Sequence, residues 1–182
     1  MANQGMHPER DFYQQTIASI YNDFQRQYLY RVILPNNFEG AGDNVDVITY
    51  FVSSTGTPQE QTGMIPVDWQ NSQIKVAGRT TYTPWSVTVK DSVEANVYQY
   101  FNNWRRLVYN RDTGESSRPK DYKRNILLEL IGETSASNIV FTMRNCYPET
   151  IGSSTKDYSA EGLMTFAVTF QYDDFETDKK IR

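Results

Sequence analysis

Two stretches of this chain alternate cleanly between apolar and polar residues. From Trp85 to Lys90, Trp85, Val87 and Val89 lie on one face and Ser86, Thr88 and Lys90 on the other. From Leu163 to Tyr172, residues Met164, Phe166, Val168, Phe170 and Tyr172 face one way, and Thr165, Ala167, Thr169 and Gln171 the other. A period of two marks a half-buried β-strand. Weaker versions occur elsewhere. Tyr28–Leu34 alternates Tyr28, Tyr30, Val32 and Leu34 against Leu29, Arg31 and Ile33 and ends at Pro35. Val45–Val52 reads as a strand apolar on both faces, with Val47 and Phe51 on one and Ile48, Tyr50 and Val52 on the other. Met64–Val67 and Ser72–Ala77 predict two short extended pieces. Within Gln73–Val89 the pattern gives two strands joined through Gly78 and Pro84. Asn125–Ile131 and Asn138–Arg144 predict a hairpin around 132–137. Asn36–Asn44, with Gly40 and Gly42, reads as a turn, and polar Ser53–Gly63 as a loop or hairpin tip.

The period changes between Ser92 and about Tyr109. Val93, Val97, Phe101, Trp104 and Val108 are spaced by four, four, three and four, as on one stripe of a helix. Asp91 suits the N-cap and Glu94 the reciprocal position three residues on. Arg105 and Arg106 complement the dipole at the far end. A shorter stripe, Phe12, Ile17, Ile20, Tyr21 and Phe24, predicts either a helix over about 8–25 or an arm that orders on assembly.

About seven strands without regular βαβ alternation predict a mainly β fold. The expected form is an antiparallel sandwich or barrel with one flanking helix and a possible N-terminal one. A chain of 182 residues fits one core. The divisions expected are an N-terminal extension over 1–27, one β-domain over 28–176 and a C-terminal tail over 177–182. Arg111–Arg124 is a polar connection longer than most, which favours a partner-facing segment.

Composition narrows the chemistry. A net charge of −4 and a pI near 5.1 lack the basic footprint of a dedicated nucleic-acid binder. A single cysteine, Cys146, forms no intrachain disulfide and reads as a buried structural thiol. The one histidine, His7, lies in a polar N-terminal stretch, far from any nucleophile–base pattern. One histidine and one cysteine build no metal cluster, and Asp173, Asp174 and Glu176 read as a solvated acidic strand end rather than a carboxylate metal site. Gly40-Ala41-Gly42 starts like a dinucleotide fingerprint, but Val45 stands where a third glycine belongs. The basic cluster Arg118, Lys120, Lys123 and Arg124 reads as a solvated loop before a nucleic-acid contact, and Trp104 and Tyr98 as core. No enzyme, cofactor or metal is therefore expected. Residues 1–27 lack the apolar core of a signal peptide, and no run approaches the ~20 apolar residues of a membrane span, so cytoplasmic synthesis and no membrane partner are expected.

Apolar residues on both faces of Val45–Val52 and Ile126–Ile131 ask for a second cover, either within the monomer or from a neighbouring subunit. Three blocks bear on the choice. The first is Ile65-Pro66-Val67, then Ile74-Lys75-Val76-Ala77-Gly78-Arg79-Thr80 and Trp85-Ser86-Val87-Thr88-Val89. The second is Arg118-Pro119-Lys120-Asp121-Tyr122-Lys123-Arg124. The third is Tyr147-Pro148-Glu149-Thr150-Ile151-Gly152 with the closing Phe166–Phe175. In order and spacing they resemble the tail-tube proteins of contractile-tailed bacteriophages, over roughly Tyr28–Glu176.

The resemblance implies a structural subunit assembling into stacked hexameric rings. These form the inner tube of the virion tail, put together in the host bacterial cytoplasm. It implies as partners the sheath, tape-measure and baseplate proteins, with genomic DNA passing through the lumen unbound by sequence. A mildly acidic wall would repel its phosphates. The expected subunit contacts are Val45, Val47, Phe51, Ile74, Val76, Gly78 and Arg79, and the expected stacking loop holds Gly56, Pro58 and Gly63. The extension 1–27 and the polar 53–63 segment depart from the family pattern. The alternatives are an inner-tube protein of a contractile injection system, a tube-like baseplate protein, and a β-barrel carrier of a small ligand, which would be monomeric with an apolar pocket.

Overall fold

In the computed structural model, described over residues 25–42, 45–132, 137–154, 159 and 161–179, the two alternating stretches pair with each other. Strand β5 (Trp85–Lys90) runs antiparallel to β8 (Thr165–Gln171), with Trp85 opposite Phe170, Val87 opposite Val168 and Val89 opposite Phe166. All six side chains are buried. The pairing thus puts both apolar faces on one side and leaves Ser86, Thr88, Lys90, Thr165, Ala167, Thr169 and Gln171 on the other.

Around this pair the strands form one antiparallel sheet in the order β1-β6-β7-β8-β5-β2, with β9 on the far side of β7. The further members are β1 (Tyr30–Ile33), β2 (Val52–Thr55), β6 (Arg124–Ile131), β7 (Ser137–Ile151) and β9 (Asp174–Lys179). Strand β7 is long enough to serve two halves. Its first part, Ile139–Arg144, lies between β6 and β9, and Tyr147–Ile151 pairs with β8. Asn145, at φ +56°, and the irregular register around it mark the change of partner. This is the mainly β, antiparallel fold of about seven strands expected.

Helix α2 (Asn96–Val108) closes the core, burying Val97, Tyr100, Phe101 and Trp104. Phe101 lies edge-on to Phe170 at 6.0 Å, and Trp104 meets the same ring at 5.7 Å. Each buried polar handle has a partner: Trp104 Nε1 donates to Tyr122 O at 2.7 Å and the Tyr100 hydroxyl to Pro35 O at 2.6 Å. The helix begins later than its sequence suggests. Ala95, at φ +54°, is the N-cap and Val93 is fully exposed. Asp91 still serves the first turn, because its Oδ1 accepts from the Tyr98 amide at 3.3 Å. Glu94 instead accepts from the Asn96 side chain. A short helix, α3 (Pro119–Tyr122), precedes β6.

The segment 45–52 differs from expectation. Val45–Tyr50 is a helix, α1, and only Val52–Thr55 is strand. A run apolar at nearly every position fits a buried strand and a short helix equally. Here Ile48 is buried and Phe51, three residues on, packs half-buried on the same core, which is helical spacing. The 53–63 segment is also no open loop. Its ends belong to β2 and to β3 (Gln59–Trp69), and the link between them is three residues, 56–58. The pieces 64–67 and 72–77 are parts of one hairpin formed by β3 and β4 (Ser72–Thr83), and β4 runs through Gly78 unbroken to Pro84. Strand β9 carries the acidic run that reads as a solvated end. The expected helix over about 8–25 lies outside the described residues, apart from Gln25.

Candidate functional site: an unpaired apolar face on a projecting hairpin

Strands β3 and β4 make a two-stranded sheet of their own, 11 and 12 residues long. Every residue of β3 is exposed, and in β4 only Gly78 and Tyr82 are partly covered. The base is fixed to the body. The Tyr172 hydroxyl donates to Gln59 O at 3.0 Å and accepts from the Gln59 amide at 3.2 Å. The Tyr82 ring rests on Tyr172 at 5.8 Å and Phe175 at 6.0 Å. Trp85 Nε1 donates to Gly56 O at 2.6 Å and so pins the link into the hairpin.

The register divides the hairpin into a polar stem and an apolar arm. In the stem, Gln59, Glu60, Gln61 and Thr62 oppose Thr83, Tyr82, Thr81 and Thr80. A register shift between Thr62 and Met64 follows, where Gly63 and Gly78 come together. A Cβ on Gly78 would lie 3.2 Å from both Gly63 O and Ile65 Cγ1. Beyond it, Ile65 opposes Val76, Val67 opposes Ile74, and Trp69 opposes Ser72. Directly opposed residues share a face, and so do residues two apart. Ile65, Val67, Trp69, Ile74 and Val76 therefore form one apolar face. The other face carries Met64–Ala77, Pro66–Lys75 and Asp68–Gln73, with Gln73 donating to Asp68 at 3.2 Å.

That face has no cover among the described residues: Trp69 is 63% exposed, Ile65 54% and Ile74 53%. A lone two-stranded ribbon is marginal in water, and contiguous exposed apolar surface marks an interaction site. What this arrangement offers chemically is an apolar surface for another surface to cover.

The expected contact residues are dispersed over the fold. Ile74 and Val76 lie on the apolar face, Gly78 and Arg79 just below it at the bulge. Val45 and Val47 belong to helix α1, and Phe51 packs on the chain's own core. Of the expected stacking residues, Gly56 and Pro58 stand in the pinned link, where Pro58 is buried, and Gly63 sits in the bulge. Ile65, Val67 and Trp69 escape a reading of the sequence because Met64–Val67 is apolar at every position, so no alternation marks a face there. Reading β3 against β4 in register would have found them.

The titratable groups serve the fold. Asp173 holds Lys123 at 2.8 Å, while Arg144 bridges Asp174 and Glu176, so the acidic strand end is taken up in ion pairs. The hydrogen bond to Asp173 raises the Lys123 pKa. The Arg124 guanidinium donates to the carbonyls of Asn37, Lys120, Asp121 and Lys123, and thereby ties α3 to the turn after β1. Cys146 is buried, and burial pushes its thiol up to about 12. Among the described residues, no three His, Cys, Asp or Glu side chains are grouped to hold a metal ion. No helix among them is long and apolar enough to cross a membrane.

A seven-stranded sheet closed by one helix, bearing an amphipathic hairpin whose apolar face is exposed among the described residues, is the form of a structural rather than a catalytic protein. A model of the phage tail tube protein family matches residues 16–178, and the chain belongs to that family. It is 26% identical over 159 residues to the tail tube protein gp19 of Enterobacteria phage T4, covering 85% of this chain and 92% of that one. With the tail tube protein of Serratia phage KSP90 it shares 24% over 138 residues, 75% of this chain and 78% of that one. Its fold resembles a chain of the anti-feeding prophage cap, with a TM-score of 0.61 at 13% identity, covering 86% of this chain and 92% of that one. It also resembles a chain of the sheath–tube complex of the extracellular contractile injection system PVC, with a TM-score of 0.58 at 12% identity and coverage of 91% and 97%.

Proposed function

We propose that this chain is the repeating subunit of the tail tube in a contractile phage tail. Copies join into six-membered rings, rings stack, and the lumen conducts DNA during ejection. The observation that carries this reading, beyond family membership, is the apolar face of the β3–β4 arm. It is covered when the arm lies on a second copy, and Ile74 and Val76 are then contact residues. Gly78 and Arg79 sit beside that contact at the bulge, and helix α1, with Val45 and Val47, supplies a neighbouring part of the ring interface. The link holding Gly56 and Pro58 and the bulge at Gly63 set the direction in which the arm leaves its own ring.

The polar face of the β5–β8 pair is the wall of the lumen in this reading. Ser86, Thr88, Thr165 and Thr169 present hydroxyls, and Lys90 is the one charged side chain on these two strands. Such a surface holds no row of cations to displace counterions from DNA, so phosphate passes without sticking. Neutrality, rather than the acidic wall expected from net charge, does the work. Sheath, tape-measure and baseplate proteins are the partners, and the protein is a component of the virion tail, assembled in the host cytoplasm.

Likeness of fold to injection-system tube chains supports a second reading, an inner tube with a protein cargo. Capsid genes beside this one favour the phage tail, and effector genes favour the other. Electron microscopy of the purified protein across a concentration series, with the mass of the soluble fraction, tests the assembly. Six-fold rings or hollow tubes are expected. A strict monomer that binds a small apolar ligand overturns the reading in favour of a carrier.

A further inference from the structure

A second surface, separate from the arm, lies where the end of α2 meets β7. A groove of about 430 Å³ runs between Tyr98, Arg105 and Arg106 of the helix, Tyr109 and Arg111 beyond it, and Glu149 of β7. Arg106 is held by Asp112 at 3.2 Å, whereas Arg105 and Arg111 have no acidic partner among the described residues. The groove thus brings two arginines that form no ion pair among the described residues close to the single carboxylate of Glu149.

We propose that this groove binds an acidic polypeptide segment of another protein. Arg105 and Arg111 would take its carboxylates, and Tyr98 and Tyr109, 42% and 50% exposed, would take its apolar side chains. The guanidinium fork matches a carboxylate with two parallel hydrogen bonds, and Arg and Tyr are the residue types that carry binding energy at protein interfaces. The groove is preorganised: Val97, Tyr100, Phe101 and Trp104 fix the helix from its buried side, and Tyr147 in its floor rests edge-on against Tyr122 at 5.6 Å. Glu149 selects among anions. Its carboxylate, held by the Gln171 amide at 2.9 Å, stands in the same groove and disfavours the continuous charge of a nucleic acid. A peptide with spaced acids avoids it and offers backbone amides to it.

The soluble protein, titrated at low salt into a fluorescein-labelled peptide alternating glutamate and leucine, tests the inference by anisotropy. Saturable binding that weakens with salt is expected. The double variant Arg105→Gln, Arg111→Gln is expected to lose ~10-fold or more in affinity with only a small fall in the unfolding midpoint. Glu149→Gln, which removes the acid beside the peptide, is expected to tighten binding. Lys120→Glu, at an exposed cation outside the groove, leaves it unchanged. Absence of saturable binding, indifference to both groove variants, or tighter binding of an oligothymidylate through the same arginines overturns the inference. The readout needs no ring or tube, so it stands apart from the assembly test.

Discussion

Cys146 shows how burial alone sets the behaviour of a residue. With its sulfur in the core and its pKa pushed from 9.0 to about 12, the thiol is neutral and inert at neutral pH. A thiol reagent at pH 8 is expected to leave it unlabelled in the folded protein and to label it fully in denaturant. Fast native labelling would mean that the core opens there. The same shift gives a pH dependence. Below pH 9 both states keep the proton and nothing is lost. Between 9 and about 12 the unfolded chain releases it while the folded one holds it, so stability falls as pH rises. Lys123, raised through its bond to Asp173, acts in the same sense at the alkaline end, where loss of its proton breaks the pair. Urea midpoints that decline above pH 9, and decline less in Cys146→Ala, are expected. At Trp104, which is wholly buried and donates to Tyr122, truncation to alanine removes packing and a hydrogen bond together. A loss of ~3–5 kcal/mol in denaturant unfolding is expected.

At the scale of elements, stability and assembly separate. The arm contributes little to the core, so Val67→Lys with Ile74→Lys is expected to leave the unfolding midpoint near that of the parent and to abolish assembly. Sedimentation velocity and a thermal melt of the one sample decide it. A large fall in the midpoint would mean that the arm packs on its own chain. Trp69 reports the same event optically, because Trp85 and Trp104 are already buried. Assembly is expected to shift emission to the blue and to protect against iodide. Legibility followed the presence of a single buried face. Strands β5 and β8 and the stripe of α2 alternate against one core, and their sequences say so. Residues 45–52 are apolar all round, and only packing chooses the helix. Strand β9 is polar and acidic, and pairing with β7 through Arg144 makes it a strand. Of the arm, Ile74 and Val76 were legible from their alternation and their place in a family motif. Ile65, Val67 and Trp69 were not, because Met64 and Pro66 make the run apolar on both faces, and only pairing with Ile74 and Val76 shows which face is continuous.

For the whole molecule, the two sides of the sheet have different work. Aromatic packing fills the side facing α2, and the other side is polar enough to stay wet. Acid substitutions at Thr88 and Thr169 are therefore expected to be tolerated in folding and assembly and to alter only passage through the lumen. A collapse of stability on Thr169→Asp would show that this side is covered within the subunit. The central claim is that the arm's apolar face is covered by another copy of the chain. A cryo-EM reconstruction of the assembled protein tests it most directly. The expected map places Ile65, Val67, Trp69, Ile74 and Val76 in contact with a neighbouring subunit, with the β5–β8 polar face on the lumen. An assembly in which those five side chains remain in solvent while the subunits touch elsewhere would contradict it.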